Sequence, residues 1–315
     1  MNSLTIVGDP HAKPDNLEKI RTLFTLVEHR GNTAVWMGDM LDTKEIVRSK
    51  CLNLWIELFS KSKLQHYILV GNHDLHSVES KEHSLYPLGL LKNVHVIDRP
   101  QTIHGTNVYA VPYIHDPKEF IKALKLQEGH QVLLMHQGIT GFDYGNGYIA
   151  ENEVPLEALS AFELVVSGHF HKFQKEGNLV YIGTPFSHSF GESDQEKFLG
   201  VLDLKTLKLK TIPMKFPQHK TFYLNCDSEK LSSGQHLEPG YSRVILTGSA
   251  EAVAAFDRTK YPHVKFIEQP DSEVLAKANV SETWSNEKKF TKWATEIKGL
   301  PEDTIKLGLE ILKNV

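Results

Sequence analysis

The sequence predicts an α/β fold, two β-sheets flanked by helices, with a cluster of polar residues at one sheet edge. Three observations lead there. Apolar runs of four or five residues, rich in Val, Ile and Leu, recur along the chain and have the length and composition of strands buried on both faces. Amphipathic helical stretches lie between several of them. Five of the runs stop abruptly at Asp, Asn or His.

Leu4 to Val7 stops at Gly8-Asp9-Pro10-His11, and Thr33 to Met37 stops at Gly38-Asp39-Met40-Leu41-Asp42. Tyr67 to Val70 stops at Gly71-Asn72-His73-Asp74, Val132 to Met135 at His136, and Leu164 to Ser167 at Gly168-His169-Phe170-His171. Ligands of open α/β sheets sit outside the carboxyl ends of the strands. If these strands share one sheet, Asp9, His11, Asp39, Asn72, His136, His169 and His171 form one cluster. That is more nitrogen and oxygen donors than one metal takes from a protein. Two ions held roughly 3.5 to 4 Å apart, however, can share a bridging carboxylate, and Asp39 is the candidate bridge. Singly, each residue would only cap a helix or close a turn, but five such endings in one chain favour a binuclear site.

Between the runs, Asp15 is placed to cap a helix whose inner face carries Leu17, Ile20, Leu23, Phe24 and Val27 and which ends near Gly31. A second helix is expected from about Lys44 to Ser60, with Val47, Cys51, Leu54, Trp55 and Leu58 inward. A third is expected over 117–127, where Asp116 caps, Pro117 suits the first turn and Glu119 completes a capping box. Val94 to Ile97 and Val108 to Val111 read as strands. Leu179 to Ile182, Leu199 to Leu204 and Leu207 to Ile212 read as antiparallel strands of the far sheet of a sandwich.

The first domain therefore spans 1–215, and a boundary falls between Pro213 and His219. A small β-α-β domain over 220–270 follows, with strands at 221–224, 243–246 and 264–267 and a helix at 250–258. The tail, 271–315, carries Trp284, Phe290, Trp293 and Ile297. Pro301 then opens a helix with Ile305, Leu309 and Leu312 on one side. Such stripes either complete a core or form a docking surface.

Composition sets bounds. A chain of 315 residues, 40% hydrophobic, can bury a main core and a smaller one. No apolar segment suggests a signal peptide or membrane span. The two cysteines, Cys51 and Cys226, lie far apart in sequence and suit free thiols in a reducing, cytoplasmic compartment; for a viral chain this would be the host cytoplasm. The formal net charge of −4 is not the footprint of a protein that grips DNA alone through many phosphate contacts.

The ordered set Asp9-x-His11, Gly38-Asp39-x-x-Asp42, Gly71-Asn72-His73-Asp74, His136 and Gly168-His169-x-His171 resembles the calcineurin-like metallophosphoesterase family over about the first 175 residues. Tyr181-Ile182-Gly183-Thr184-Pro185 and Ser189-Phe190-Gly191-Glu192 further resemble the SbcD-type DNA repair nucleases, including bacteriophage recombination endonuclease subunits. The resemblance implies a four-layer α-β-β-α sandwich with a small capping domain. It also implies a metal-dependent DNA phosphodiesterase, exonuclease or endonuclease, within an SbcCD-like repair or recombination complex. The alternative is a metallophosphatase acting on a nucleotide or phosphoprotein.

By resemblance one ion takes Asp9, His11, Asp39 and His171, the other Asp39, Asn72, His136 and His169, and a hydroxide between them attacks phosphorus in line. The donor types suit manganese, iron or zinc better than magnesium, which prefers an all-oxygen shell; manganese is the family's usual nuclease activator. His73, without a metal in this assignment, is free to donate to a phosphate oxygen or protonate the leaving alkoxide, with Asp74 holding its ring in the needed tautomer. The bland alternative for His73 is a structural hydrogen bond. His188 lies in a segment expected to return near the site.

The implied partners are DNA and an SbcC-type SMC-like ATPase that receives the tail, with a homodimer of this chain inside a heterotetramer and no membrane. Two departures stand out. Asp42 occupies a position commonly histidine in SbcD-type nucleases, and Ala12-Lys13 replaces the frequent Leu-Gly. Neither removes an expected ligand.

Overall fold

Alternation along the strands sorts apolar side chains onto two faces of each sheet, and the packing of those faces sets the layers. The computed structural model describes residues 2–77, 80–125, 129–145, 147–228, 237–269, 285–297 and 301–313. Met1–Lys220 and Thr221–Val315 form two compact units. In chain order the first unit contains β1 (Ser3–Val7), α1 (Leu17–Glu28), β2 (Thr33–Trp36), α2 (Ser49–Lys61), β3 (His66–Leu69), β4 (Val94–Ile97), β5 (Gln101–Thr102), β6 (Val108–Val111) and α3 (Pro117–Lys125). It continues with β7 (Val132–His136), β8 (Leu164–Gly168), β9 (Gln174–Glu176), β10 (Leu179–Tyr181), β11 (Phe198–Asp203) and β12 (Leu209–Pro213).

Two six-stranded sheets result, ordered β12-β11-β1-β2-β3-β4 and β5-β6-β7-β8-β10-β9. Their facing sides interleave Ile6, Val35 and Leu69 with Val108, Ala110, Val132, Leu134 and Val166 in one buried cluster. One residue along, Val7, Trp36 and Ile68 point the other way and pack on Ile20, Leu23 and Phe24 of α1 and on Cys51, Leu54, Trp55 and Phe59 of α2. On the second sheet Tyr109, Val111, Leu133 and Met135 likewise meet Phe120 and Leu124 of α3. The order is helix, sheet, sheet, helix, a mixed α/β fold with two apolar layers of helix on sheet and one of sheet on sheet.

Several expectations are corrected. The five strands that end in polar residues do not share a sheet: β1, β2 and β3 lie in the first and β7 and β8 in the second. Leu179 to Ile182 and the two strands after Leu199 do not form one far sheet. β10 pairs parallel with β8, while β11 adds antiparallel to β1 and carries β12 with it. A strand buried on both faces fits either sheet by composition, so composition could not assign these.

α2 starts at Ser49 rather than Lys44, because Glu45 adopts a left-handed backbone with φ 62° and Arg48 is extended; Val47 is exposed. Asp15 does not cap α1. The N-cap residue is Asn16, whose side chain is spent on the preceding loop, accepting from Lys13 N–H and donating to His11 O. Asp116 accepts from Lys118 N–H at 2.8 Å, but Glu119 pairs with Lys122 instead of closing a capping box.

In the second unit β13 (Lys220–Asn225), β14 (Ser242–Thr247) and β15 (Lys265–Glu268) make a three-stranded sheet in that order. Here β14 and β15 are parallel and α4 (Ala250–Ala255) is capped by Ser249. Leu224, Val244, Leu246 and Val253 form its core. α5 (Asn286–Lys292) runs into a π-helical turn over Trp293–Ile297, and α6 (Glu302–Lys313) follows. The Phe290 ring lies directly against Gly308, so the two tail helices approach closely there. Trp284 lies outside the described residues, as do Gln127 and the rest of 126–128. Among the described residues no helix is long and apolar enough to cross a membrane.

Candidate metal centre and active site

Parallel strands place their carboxyl ends side by side, so loops leaving them can hydrogen-bond to one another. His11 N–H donates to Asp39 O at 3.0 Å and Ala12 N–H to Met40 O at 3.0 Å, zipping the loop after β1 to the loop after β2. His169 N–H donates to Asp9 Oδ2 at 2.6 Å, and His136 Nδ1 meets Met37 O at 2.7 Å, which ties the second sheet's loops to the first sheet's. His11, Asp39 and His169 take left-handed backbones, with φ of 40°, 49° and 82°, a conformation that side chains other than Gly adopt at a cost.

Asp9, His11, Asp39, Asn72 and His136 are buried, and the structure brings all seven expected ligands together. Asp39 Oδ2 stands 3.6 Å from His11 Nε2 and 3.5 Å from His136 Nε2, between the two halves of the cluster. His11 Nε2 and His171 Nε2 are 3.1 Å apart. Asn72 Oδ1 receives two imidazoles, His136 Nε2 at 2.9 Å and His169 Nδ1 at 2.8 Å. Among the described residues, two groups have donor atoms mutually within 4.8 Å, Asp9 with His11 and His171, and Asp9 with Asp39 and His136.

The donor chemistry fits cations. His136 Nδ1 faces a carbonyl and must be N–H, so in the neutral ring Nε2 presents a lone pair toward the lone pairs of Asn72 Oδ1. His171 Nδ1 likewise faces Glu192 Oε1 at 2.8 Å, which turns the lone pair of Nε2 toward His11. Asp9 Oδ1 is buried with no hydrogen-bond partner among the described residues. Such convergences of lone pairs draw positive charge, which a proton or a divalent ion can supply.

The electrostatics show the same demand for positive charge, with protons taking up part of it. Burial raises the Asp9 carboxyl to about 7. At Asp39 burial is outweighed by His136 and His11, which hold the carboxyl well below its usual range. Burial would lower His136, but Asp39 and Asp9 push it up to about 9, whereas burial and the neighbouring His136 lower His169 to about 3.

His73 lines a cleft of about 330 Å³ with Asp39, Asn72, His169, His171, Tyr144, Gly145, Ser189 and Gly191. Its backbone N–H donates to Asp39 Oδ1 at 2.8 Å, and its Nδ1 donates to Asp42 O at 2.7 Å. The expectation that Asp74 orients the His73 ring is therefore corrected. The Asp74 carboxylate accepts from Gly71 N–H of its own turn at 3.0 Å and from Leu41 N–H of the loop after β2 at 3.2 Å, and the main chain of residue 42 holds the ring instead.

Sequence reasoning gave no role to the groups behind His171. Glu192 is buried; its Oε2 accepts from Lys197 Nζ at 2.6 Å, and Thr184 Oγ1 donates to it at 3.1 Å. Burial alone would raise Glu192, but His171 and Lys197 hold it well below its usual range. The available signal was the run Ser189-Phe190-Gly191-Glu192. His188 lies beside the cluster, its ring 5.2 Å from that of His11. Its Nε2 is 3.3 Å from Asp9 O, a backbone atom.

Fold and site together define a phosphoester hydrolase with a two-metal-binding active site, an arrangement consistent with phosphodiester hydrolysis. Residues 3–173 match the family of calcineurin-like phosphoesterases, and the chain belongs to it. It is similar to a protein described as phosphoesterase 244L from Invertebrate iridescent virus 6, at 27% identity over 82% of this chain and 98% of that one. It is also similar to exonuclease subunit 1 of Enterobacteria phage T4, at 25% identity over 61% of this chain and 58% of that protein. A solved archaeal phosphodiesterase superposes with a TM-score of 0.38 at 15% identity, over 67% of this chain and 99% of that one.

Proposed function

We propose that the chain is a manganese-dependent DNA phosphodiesterase, the nuclease subunit of an SbcCD-like repair or recombination complex. The observation that carries the reading is His73. With Nδ1 bonded to Asp42 O and its backbone tied to Asp39, the ring is fixed at the wall of the cleft, and Nε2 remains to take up or release a proton. A proton donor beside the metal cluster is what departure of a nucleoside alkoxide needs. The similarity to a phage exonuclease subunit supports DNA as the substrate.

When bound, the two ions supply Lewis-acid stabilisation of the phosphoryl oxygens and an activated water. Asp9, His11, Asp39 and His171 would hold one ion, and Asp39, Asn72, His136 and His169 the other; manganese would suit this mixed imidazole, amide and carboxylate set. His73 orients a phosphate oxygen and protonates the leaving oxygen, and the buried floor of the cluster excludes bulk water. The unit over 221–315 is the capping domain and tail, and exposed Trp293 and Leu307 on the tail helices dock on an SMC-like ATPase.

The test is hydrolysis by the purified chain, with and without manganese, of labelled duplex, hairpin and single-stranded DNA beside a simple phosphate monoester. Manganese-dependent cleavage of DNA in preference to the monoester is expected. Turnover of the monoester alone would overturn the reading in favour of a metallophosphatase.

A further inference from the structure

The two halves of the cluster are built unequally. At the half formed by Asp9, His11 and His171, the nitrogen of His171 that faces away from the cluster donates to the Glu192 carboxylate at 2.8 Å. At the other half, the corresponding nitrogen of His136 donates to the neutral carbonyl of Met37 at 2.7 Å, and Asn72 offers a neutral amide oxygen to His136 and His169. A carboxylate behind a metal-facing imidazole raises its basicity and fixes its tautomer more strongly than a carbonyl does. Asp39 lies between the halves and Asp9 groups with donors of each, so the carboxylate that belongs to the first half alone is Glu192.

Lys197 makes that asymmetry permanent. Its ammonium is fully buried, an arrangement costly for any lysine without partners. Its partners are Glu192 Oε2 at 2.6 Å, Thr184 Oγ1 at 2.7 Å, Gln195 Oε1 at 3.2 Å and the carbonyl oxygen of His171 itself at 3.1 Å. The lysine therefore grips both the carboxylate and the main chain of the residue that the carboxylate orients. A core needing only volume would place an apolar residue here.

We propose that Glu192, locked in place by Lys197, is a positioning residue that makes the Asp9–His11–His171 position the tighter of the two. The chain then fills stepwise, and the Asn72–His136–His169 position receives its ion second. This rests on the binuclear reading above. The activity of such an enzyme follows the free concentration of the second ion, while the first stays in place.

The experiment is titration of the metal-stripped full chain with Mn²⁺, followed by the spectroscopic signal of the free ion. The wild-type chain is expected to take two ions in steps separated by at least about tenfold. Glu192→Gln combined with Lys197→Met removes both buried charges but keeps an acceptor for His171, and the tighter step should weaken about 10- to 100-fold. Glu192→Asp keeps the pairing with Lys197 but is too short to reach His171 Nδ1 as well; it serves the same purpose if the double variant does not fold, with the same loss expected. Asn72→Ala should remove the weaker step alone.

Two equal steps in the wild-type chain, or a tighter step that stays within threefold in a folded Glu192 variant, would overturn the inference while leaving the binuclear centre standing. So would loss of the tighter step in Asn72→Ala. Binding of fewer than two ions by the wild-type chain would overturn the binuclear reading itself.

Discussion

Gly71→Ala isolates how closely the loops must approach for the centre to form. Gly71 opens the turn after β3. A Cβ built on it would lie 2.9 Å from Asp39 Cγ, with Asp39 Oδ1 and N nearer still. Non-bonded heavy atoms in contact prefer about 3.5 Å, so the Asp39 carboxyl and main chain both have to retreat by roughly 1 Å. Neither can move at no cost, because Asp39 is buried, its Oδ1 accepts from His73 N–H and its own carbonyl accepts from His11 N–H. Gly71 does not have a positive φ, so alanine brings no backbone strain and the effect is the collision alone.

Overpacking of this kind costs about 1 to 3 kcal/mol, and a misplacement of about 1 Å at a reacting centre costs roughly 100-fold in rate. Manganese content, thermal melting and hydrolysis of bis(p-nitrophenyl) phosphate should be measured beside Gly105→Ala. Gly105 has φ 73° but no neighbour within 4 Å of its Cβ position, so its variant pays strain without collision. Loss of metal and activity in Gly71→Ala, with activity kept in Gly105→Ala, is expected. Full metal content and wild-type turnover in Gly71→Ala would refute the close approach of the two loops.

Three further outcomes follow from the same geometry. His73→Ala should keep both metals and lower turnover by roughly two to four orders of magnitude; collapse of metal content instead would show that His73 holds the centre together. Chelation should stop hydrolysis and lower the melting temperature, since an ion present at about 100 times its dissociation constant contributes about 2.7 kcal/mol, or roughly 5 to 10 °C for a unit of this size. An unchanged melting temperature contradicts that. Away from the centre, burial lowers His66 from 6.5 to about 4. Its Nδ1 accepts from Trp36 Nε1–H and its Nε2 meets Ser62 Oγ, the arrangement of a neutral ring. With the folded value below the unfolded one, this contribution is complete above pH 6.5 and is lost as the pH falls toward 4. Urea unfolding of the metal-free chain should lose about 2 kcal/mol from this group between pH 7 and 5, and His66→Gln should flatten that limb.

The centre was legible in the sequence because its ligands are local events. A buried apolar run that ends in Asp9, Asp39, Asn72, His136 or His169 announces a strand's carboxyl end whichever sheet the strand joins, and every such end lies on the same side of the molecule. Sheet membership was not legible for the opposite reason. β7 and β1 are apolar on both faces, so composition is the same for either sheet, and only long-range pairing such as Ser3 with Asp203 decides. The tail pattern around Phe290 and Ile305 foretold helices, yet periodicity could not foretell that Phe290 would settle against Gly308.

Asp74 and Glu192 show where residue type stops being informative. Both are carboxylates next to histidine-rich segments, and either could have oriented an imidazole. The Asp74 side chain accepts from Gly71 N–H in its own turn and from Leu41 N–H in the loop after β2 and is spent before it can reach His73. Glu192 sits in a short 3-10 turn, where its Oε1 meets His171, 21 residues earlier in the chain. Lys197 lies in the polar run Asp194-Gln195-Glu196-Lys197, which reads as a solvated loop. It is buried because an anion already waits beneath it. A buried charge must be paired or it destabilises the fold. Glu192 and Lys197 are thus intelligible only together, and what they hold in common is the metal-facing orientation of His171.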